Sequence, residues 1–187
     1  MIGFLRGILL FTANNTLLID VHGVGYKVST PLSVATSAEE GKELSLFIHT
    51  HVREDQISLY GFGTRDDVFL FEKLIGVSGI GPKSALAMLS VHSPSSLADA
   101  IEKSDADTLS HTPGVGKKTA EKIILELKGK ISHLITGKED TDTTLEVRLA
   151  LEALGYSSKE IHETLKHLVT ENKTTSTLIR EALQQLQ

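Results

Sequence analysis

The chain has 187 residues, 40% of them hydrophobic and 23% charged, with no cysteine and a formal net charge of −5. That length suits one large domain or two to three small ones, and the composition is that of a globular chain rather than a disordered one. Without cysteine there is no disulfide, thiolate metal site or cysteine nucleophile, which fits a reducing cytosol, and the negative balance argues against indiscriminate coating of nucleic acid.

Residues 1–63 read as strands. Ile2, Phe4, Arg6, Ile8 and Leu10 alternate along the first run; further runs follow at 16–21, 23–28, 44–49 and 56–62, the second after a polar turn at Asn14-Asn15. The apolar start is too short to span a bilayer and lacks a basic leader, so it reads as folded protein with no membrane role. Five short β-rich runs with turns between them predict a small closed barrel of the oligonucleotide/oligosaccharide-binding (OB) type. Gly23 and Gly25 inside a strand pattern predict a bulge or a sharp barrel corner. Residues 32–40 predict a helical turn between strands.

From Asp66 the apolar period becomes helical. Helices are expected from Val68 to about Gly76, from Ser84, over 95–103, over 105–110, and from Lys117 to about Leu134. Residues 136–143 are polar and aperiodic, which marks a linker. Three further helical runs follow at 145–154, 158–169 and 175–186, with Ser157 or Ser158 placed as an N-cap after Gly155-Tyr156. The fold class is therefore α+β and multidomain: a barrel over 1–63, a helical domain over 64–135, a linker over 136–143 and a small three-helix module over 144–187.

The helical domain contains an internal repeat. Val77-Ser78-Gly79-Ile80-Gly81-Pro82-Lys83-Ser84-Ala85 returns 35 positions later as Thr112-Pro113-Gly114-Val115-Gly116-Lys117-Lys118-Thr119-Ala120. An in-phase repeat is far harder to obtain by chance than a lone Gly-x-Gly. Each copy places a tight glycine turn before a helix, so free backbone amides and the helix dipole face an anion together. Glycine permits positive φ and lets a phosphate approach the backbone. Lys83, Lys117 and Lys118 add charge at the start of the following helix. Lys122 shares the face of Lys118, unless it is an exposed lysine paired with Glu126.

The repeat is not a nucleotide-binding loop. Gly76 and Gly81 have Walker-A spacing, but Pro82 follows, and in the second copy Gly116-Lys117 precedes Lys118 rather than a hydroxyl residue. Both copies look like helix-hairpin-helix motifs, which hold the DNA backbone without reading bases. Charge is consistent with local contacts: residues 64–137 carry 9 basic and 9 acidic side chains, while both flanks are acidic.

The order of barrel, tandem helix-hairpin-helix, acidic linker and three-helix C-terminus resembles the RuvA family. The resemblance is carried by Met1-Ile2-Gly3 with Arg6-Gly7, Gly23-Val24-Gly25-Tyr26, Val52-Arg53-Glu54-Asp55, Leu59-Tyr60-Gly61-Phe62 and both glycine motifs. It implies a non-catalytic, cytoplasmic subunit that binds four-way (Holliday) junction DNA. It also implies a homotetramer, with an octamer as the larger alternative, a RuvB hexameric ATPase as motor, and RuvC resolvase as a further partner. No cofactor, catalytic residue or metal is implied. By the same resemblance Glu54 and Asp55 match an acidic pin, whose carboxylates would repel phosphates at the crossover; the plainer reading is a solvated hairpin turn.

The DNA-binding residues expected are Gly79, Gly81, Lys83, Gly114, Gly116, Lys117, Lys118 and Lys122, with Arg53 beside the pin. Leu154, Tyr156, Leu165 and Leu168 are candidates for docking the motor, against the alternative that residues at such spacing form the module's own core. Rival readings are weaker. A helix-hairpin-helix glycosylase needs a base-flipping pocket in a larger helical domain. A single-strand-binding barrel needs exposed aromatic platforms, and tryptophan is absent. An architectural adaptor of another repair complex, without junction preference, is the alternative that stays open.

Overall fold

The computed structural model describes residues 1–132, 134, 147, 150, 151, 153–156, 160, 161, 164, 165 and 175–186. They belong to two compact units, Met1–Lys128 and Gly129–Gln187.

The first unit opens with five strands, β1 (Phe4–Ala13), β2 (Thr16–Val21), β3 (Val24–Ser29), β4 (Glu43–Val52) and β5 (Ile57–Phe62). They close into a barrel in the order β1-β2-β3-β5-β4, antiparallel throughout except between β3 and β5. This is the expected OB-type barrel. Alternation along the strands sends Leu5, Leu9, Leu17, Ile19, Val28, Leu46, Ile48 and Leu59 inward as one core. Helix α1 (Leu32–Ser37) fills the expected position between β3 and β4 and adds Ala35 to that core.

The expected irregularity at Gly23 and Gly25 is placed differently. The register shifts within β1, between Leu9 and Phe11, and Gly25 pairs regularly with Asp20. Gly23 forms the β2–β3 hairpin turn: His22 and Gly23 both have positive φ, 53° and 87°, and Gly23 N donates to Asp20 Oδ1 at 2.7 Å. Two consecutive left-handed residues match the twist of a tight hairpin, so the glycine serves a turn and not a bulge.

Helices α2 (Arg65–Gly76), α3 (Pro82–Val91), α4 (Pro94–Glu102), α5 (Ala106–Ser110) and α6 (Lys117–Leu127) complete the unit. A reciprocal cap starts α2: Thr64 Oγ1 accepts from Asp67 N at 3.2 Å while Asp67 Oδ2 accepts from Thr64 N at 3.2 Å. Phe71 of α2 packs its ring on Phe62 and Tyr60 of β5, with centroids at 4.9 and 5.1 Å, and so anchors the helices to the barrel. Leu70, Leu74, Met88, Leu97, Ile101, Leu109 and Ile123 are buried beyond that junction.

α6 ends seven residues before the expected limit. Lys128 is extended and Gly129 takes φ 79°, so the helix stops although apolar residues continue at Ile131 and Leu134.

In the second unit, Val147, Leu151, Ile161, Leu178 and Ala182 form a separate buried core. Gly155 (φ 95°) ends a helical stretch, with Tyr156 N donating to Leu151 O at 3.2 Å, the closure expected of a left-handed glycine cap. The last helix, α7, spans Thr175–Gln185. The expected linker at 136–143, the caps at Ser157 or Ser158, and Leu168 lie outside the described residues. Among the described residues no helix is long and apolar enough to cross a membrane.

Candidate nucleic-acid interface

The two copies of the repeat fold into the same turn twice. After α2, Ile80 N donates to Val77 O at 3.0 Å, Gly79 has φ 95°, and Gly81 sits extended at φ −96°, ψ 169° as the N-cap of α3. After α5, Val115 N donates to Thr112 O at 3.0 Å, Gly114 has φ 83°, and Gly116 sits at φ −82°, ψ 168° as the N-cap of α6. A left-handed residue at 79 and 114 costs a non-glycine side chain energy, which explains both first glycines. Ile80 and Val115 between them are buried and pin each turn to the helical core.

The second glycine of each pair has a different task. Among the described residues no side chain caps α3 or α6, since Gly81 and Gly116 have none to offer. The leading amides of both helices therefore stay open to an external acceptor. Pro82 has no N–H, so α3 presents one amide fewer than α6; its φ is preset for the helix instead. The two turns are neighbours. A Cβ built on Gly114 would lie 3.8 Å from Ser84 Oγ, which sets the second turn against the start of α3.

The four glycines and Lys83, Lys117, Lys118 and Lys122 are all solvent-exposed. Lys117 Nζ is 3.4 Å from Asp107 Oδ1 of α5, so part of its charge is already answered within the protein. Among the described residues Lys83, Lys118 and Lys122 have no ion-pair partner, and the alternative pairing of Lys122 with Glu126 is not formed. Arg53, Glu54 and Asp55 are exposed at the β4–β5 hairpin, where Arg53 N donates to Gln56 O at 2.9 Å. Arg53 and Lys83 line one cleft of about 270 Å³, together with Gly81. The β4–β5 hairpin and the first glycine turn are thereby brought together. Lys83 and Pro113 also line a larger cleft of about 630 Å³ between the barrel and both turns.

Of the residues expected to dock a motor, Leu154 is exposed, whereas Tyr156 and Leu165 are half-buried against the core of their own unit.

Strand alternation puts His49 and His51 on one strand face in the sequence but gives His51 no role; in the structure it also lines the Arg53 cleft. Sequence reasoning missed Asp105, the N-cap of α5. Its side chain accepts from Thr108 Oγ1 at 2.6 Å and Thr108 N at 3.0 Å, and these bonds hold its carboxyl below the usual range. Because the folded value is lowered, the stability this cap contributes is complete above the unfolded carboxyl's pKa and is lost as pH falls through the folded value.

The repeat also carries its own comparison of a polar and an apolar side chain. Thr112 is 2% exposed and its hydroxyl has no partner among the described residues, while the equivalent Val77 is buried equally, at 2%. A buried hydroxyl without a partner costs about 1–3 kcal/mol of desolvation. Thr112→Val should therefore raise stability by about 1 kcal/mol, read as a higher urea midpoint at unchanged slope. A lower midpoint would mean that the hydroxyl is satisfied.

An OB-type barrel followed by two side-by-side helix-hairpin-helix turns is the architecture of a class of nucleic-acid-binding proteins. Comparison with known families agrees segment by segment. Residues 1–61 match the RuvA N terminal domain, residues 71–130 the SAM-like helix-hairpin-helix tandem, and residues 142–187 the RuvA C-terminal domain. A protein of Halalkalibacterium halodurans is 42% identical over 198 residues, covering 98% of each chain. One from Geobacillus sp. is 39% identical over 200 residues, covering 100% of this chain and 99% of its own. One from Geobacter sp. is 42% identical over 194 residues, covering 98% of each. All three carry the name Holliday junction branch migration complex subunit RuvA. The chain belongs to the RuvA family.

Proposed function

We propose that this protein is the non-catalytic, junction-recognising subunit of an ATP-driven branch-migration complex. The observation that carries the reading is the pair of matching glycine turns, adjacent in space, each opening an uncapped helix beside an exposed lysine. Such turns suit two backbone phosphates of one DNA arm and carry no sequence information. Gly79, Gly81, Gly114 and Gly116 supply the close backbone approach; Lys83, Lys117, Lys118, Lys122 and Arg53 supply charge. One chain grips one arm, so selection of a four-way junction comes from repeating that grip around a homotetramer, or an octamer of two such rings. Residues 144–187, with Leu154 exposed, recruit a RuvB-type hexameric ATPase, and a RuvC-type resolvase acts on the same junction in the cytoplasm.

The test is a binding competition between a four-way junction and duplex DNA with identical arms. The expected result is a junction preference of at least about tenfold, since several arms are gripped at once. Equal affinity would favour an architectural adaptor without junction preference.

The carboxylates at the β4–β5 hairpin provide a second check. Glu54 and Asp55 are exposed and would face phosphates at the centre of such an assembly. Glu54→Lys with Asp55→Lys should tighten binding to both duplex and junction while impairing motor-driven branch migration, because repulsion at the crossover becomes attraction. Equal or weaker binding would count against a repulsive pin.

A further inference from the structure

The cleft beside the first glycine turn contains cationic chemistry that the repeat does not explain. It is bounded by His51 and Arg53 of β4 and its turn, Gln56 and Tyr60 of the β5 side, and Gly81 and Lys83 at the start of α3. Its volume, about 270 Å³, is several times the roughly 30 Å³ share of one water, so a phosphate group has room. Arg53 Nε donates to His51 Nε2 at 3.1 Å, which requires a neutral ring accepting at that nitrogen.

The groups around this ring are mostly not anionic. From β4 the His49 ring lies 6.2 Å away, and it is turned to Glu72 of α2 through a 2.9 Å contact. From β5 the Tyr60 ring meets His51 edge-on at 6.3 Å. From α3 the cation of Lys83 shares the cleft. The carboxylates of Glu54 and Asp55 belong to the exposed turn beyond Arg53, and among the described residues no carboxylate is bonded to His51 or Arg53.

We propose that this cleft binds a DNA backbone phosphodiester in which His51, protonated, is a ligand alongside Arg53 and Lys83. The proposal rests on the DNA-binding reading above and adds a site and a ligand to it. A neutral His51 offers only a lone pair at Nε2, and Arg53 occupies it. Proton uptake from solvent turns Nε2 into a donor, so two N–H groups then face each other and repel. An anionic oxygen between them accepts from both, with Lys83 supplying further charge. Phosphate binding and proton uptake therefore favour each other, and no covalent bond changes.

The experiment measures the affinity of the full chain for a four-way junction at fixed ionic strength, at about pH 8 and about pH 5.5, where an imidazole changes charge. Wild type, His51→Gln and His51→Lys are compared, and the readout is each protein's affinity ratio between the two pH values. The sequence has 8 histidines, so the difference between variants, not the wild-type ratio alone, reports on His51. The expected wild-type ratio, tighter at low pH, exceeds that of both variants by at least about threefold, because glutamine never charges and lysine is charged throughout. Calorimetry of the wild type in two buffers of different ionisation enthalpy should also show net proton uptake on binding. Equal ratios in wild type and His51→Gln, or no proton uptake, would overturn the proposal. A wild-type chain that binds no DNA at either pH would overturn the DNA-binding reading with it, whereas normal binding without a His51-dependent gain removes this site alone.

Discussion

Gly7→Ala is expected to lower the melting temperature of the protein by roughly 10 °C, the largest loss from any single added methyl group in the barrel. Gly7 lies in β1 opposite Leu44 of β4, beside Ile8, whose pairing with Asp20 ends the β1–β2 ladder. A Cβ built there overlaps the backbone carbonyl oxygen of Asp20, and lies 2.9 Å from both the Asp20 carbonyl carbon and Val21 Cγ2. A flexible side chain could swing aside, but the carbonyl belongs to the β2 ladder, where Asp20 pairs with both Ile8 and Gly25. Relief therefore requires β1 and β2 to part. Overpacking of this kind against fixed backbone costs at least about 3 kcal/mol. Gly3→Ala is the matched control, because among the described residues nothing lies within 4 Å of a Cβ at that position. A Gly7→Ala melt within about 2 °C of the Gly3→Ala melt would show that the barrel can yield there. The consequence for function is indirect: the closed barrel sets the register of β4 and β5, and so the position of Arg53, Glu54 and Asp55.

That role of Gly7 was not legible in the sequence, although its neighbours were. Short β-rich runs between turn residues marked every strand of the barrel, with period-two alternation clear along the first. The pattern did not show the β1 irregularity, which depends on how β1 meets β2, and it left Gly23 and Gly25 as a bulge or a sharp barrel corner, where Gly23 makes the hairpin turn. The repeat was legible down to single positions. Gly79 and Gly114 share a left-handed φ, Gly81 and Gly116 share an extended one, and Ile80 and Val115 share burial. Identical local chemistry demanded identical local geometry. The meeting of distant elements was the part that stayed hidden. Spacing alone did not bring Arg53 to Lys83, Ser84 to the second turn, or Asp107 to Lys117. The end of α6 was hidden for a different reason: apolar periodicity ran on through Ile131 and Leu134, while the backbone leaves the helix at Lys128, just before the left-handed Gly129.

Lys83→Ala combined with Lys118→Ala is expected to weaken junction binding at least about tenfold at low salt, and to flatten its salt dependence. These two lysines, one from each glycine turn, are exposed and lack an ion pair among the described residues, so their charge is available to phosphate. Removing one phosphate ligand should take about 0.9 from the slope of log affinity against log salt, or about 2 for the pair in each engaged chain. The weakening should be the same for junctions of unrelated sequence, because a lysine on the backbone carries no base information. Lys117→Ala separates geometry from mere charge removal. Its ammonium lies 3.4 Å from Asp107, so removing it also frees a carboxylate near the second turn. Both partners are well exposed, at 69% and 78%, which limits the strength of the pair itself. Lys117→Ala should therefore weaken binding while flattening the slope by less than a full phosphate's share, and adding Asp107→Asn should recover part of the affinity. An unchanged salt slope in the Lys83→Ala, Lys118→Ala protein would exclude these two lysines as phosphate ligands and leave the DNA to the uncapped backbone amides of α3 and α6 together with Lys117, Lys122 and Arg53.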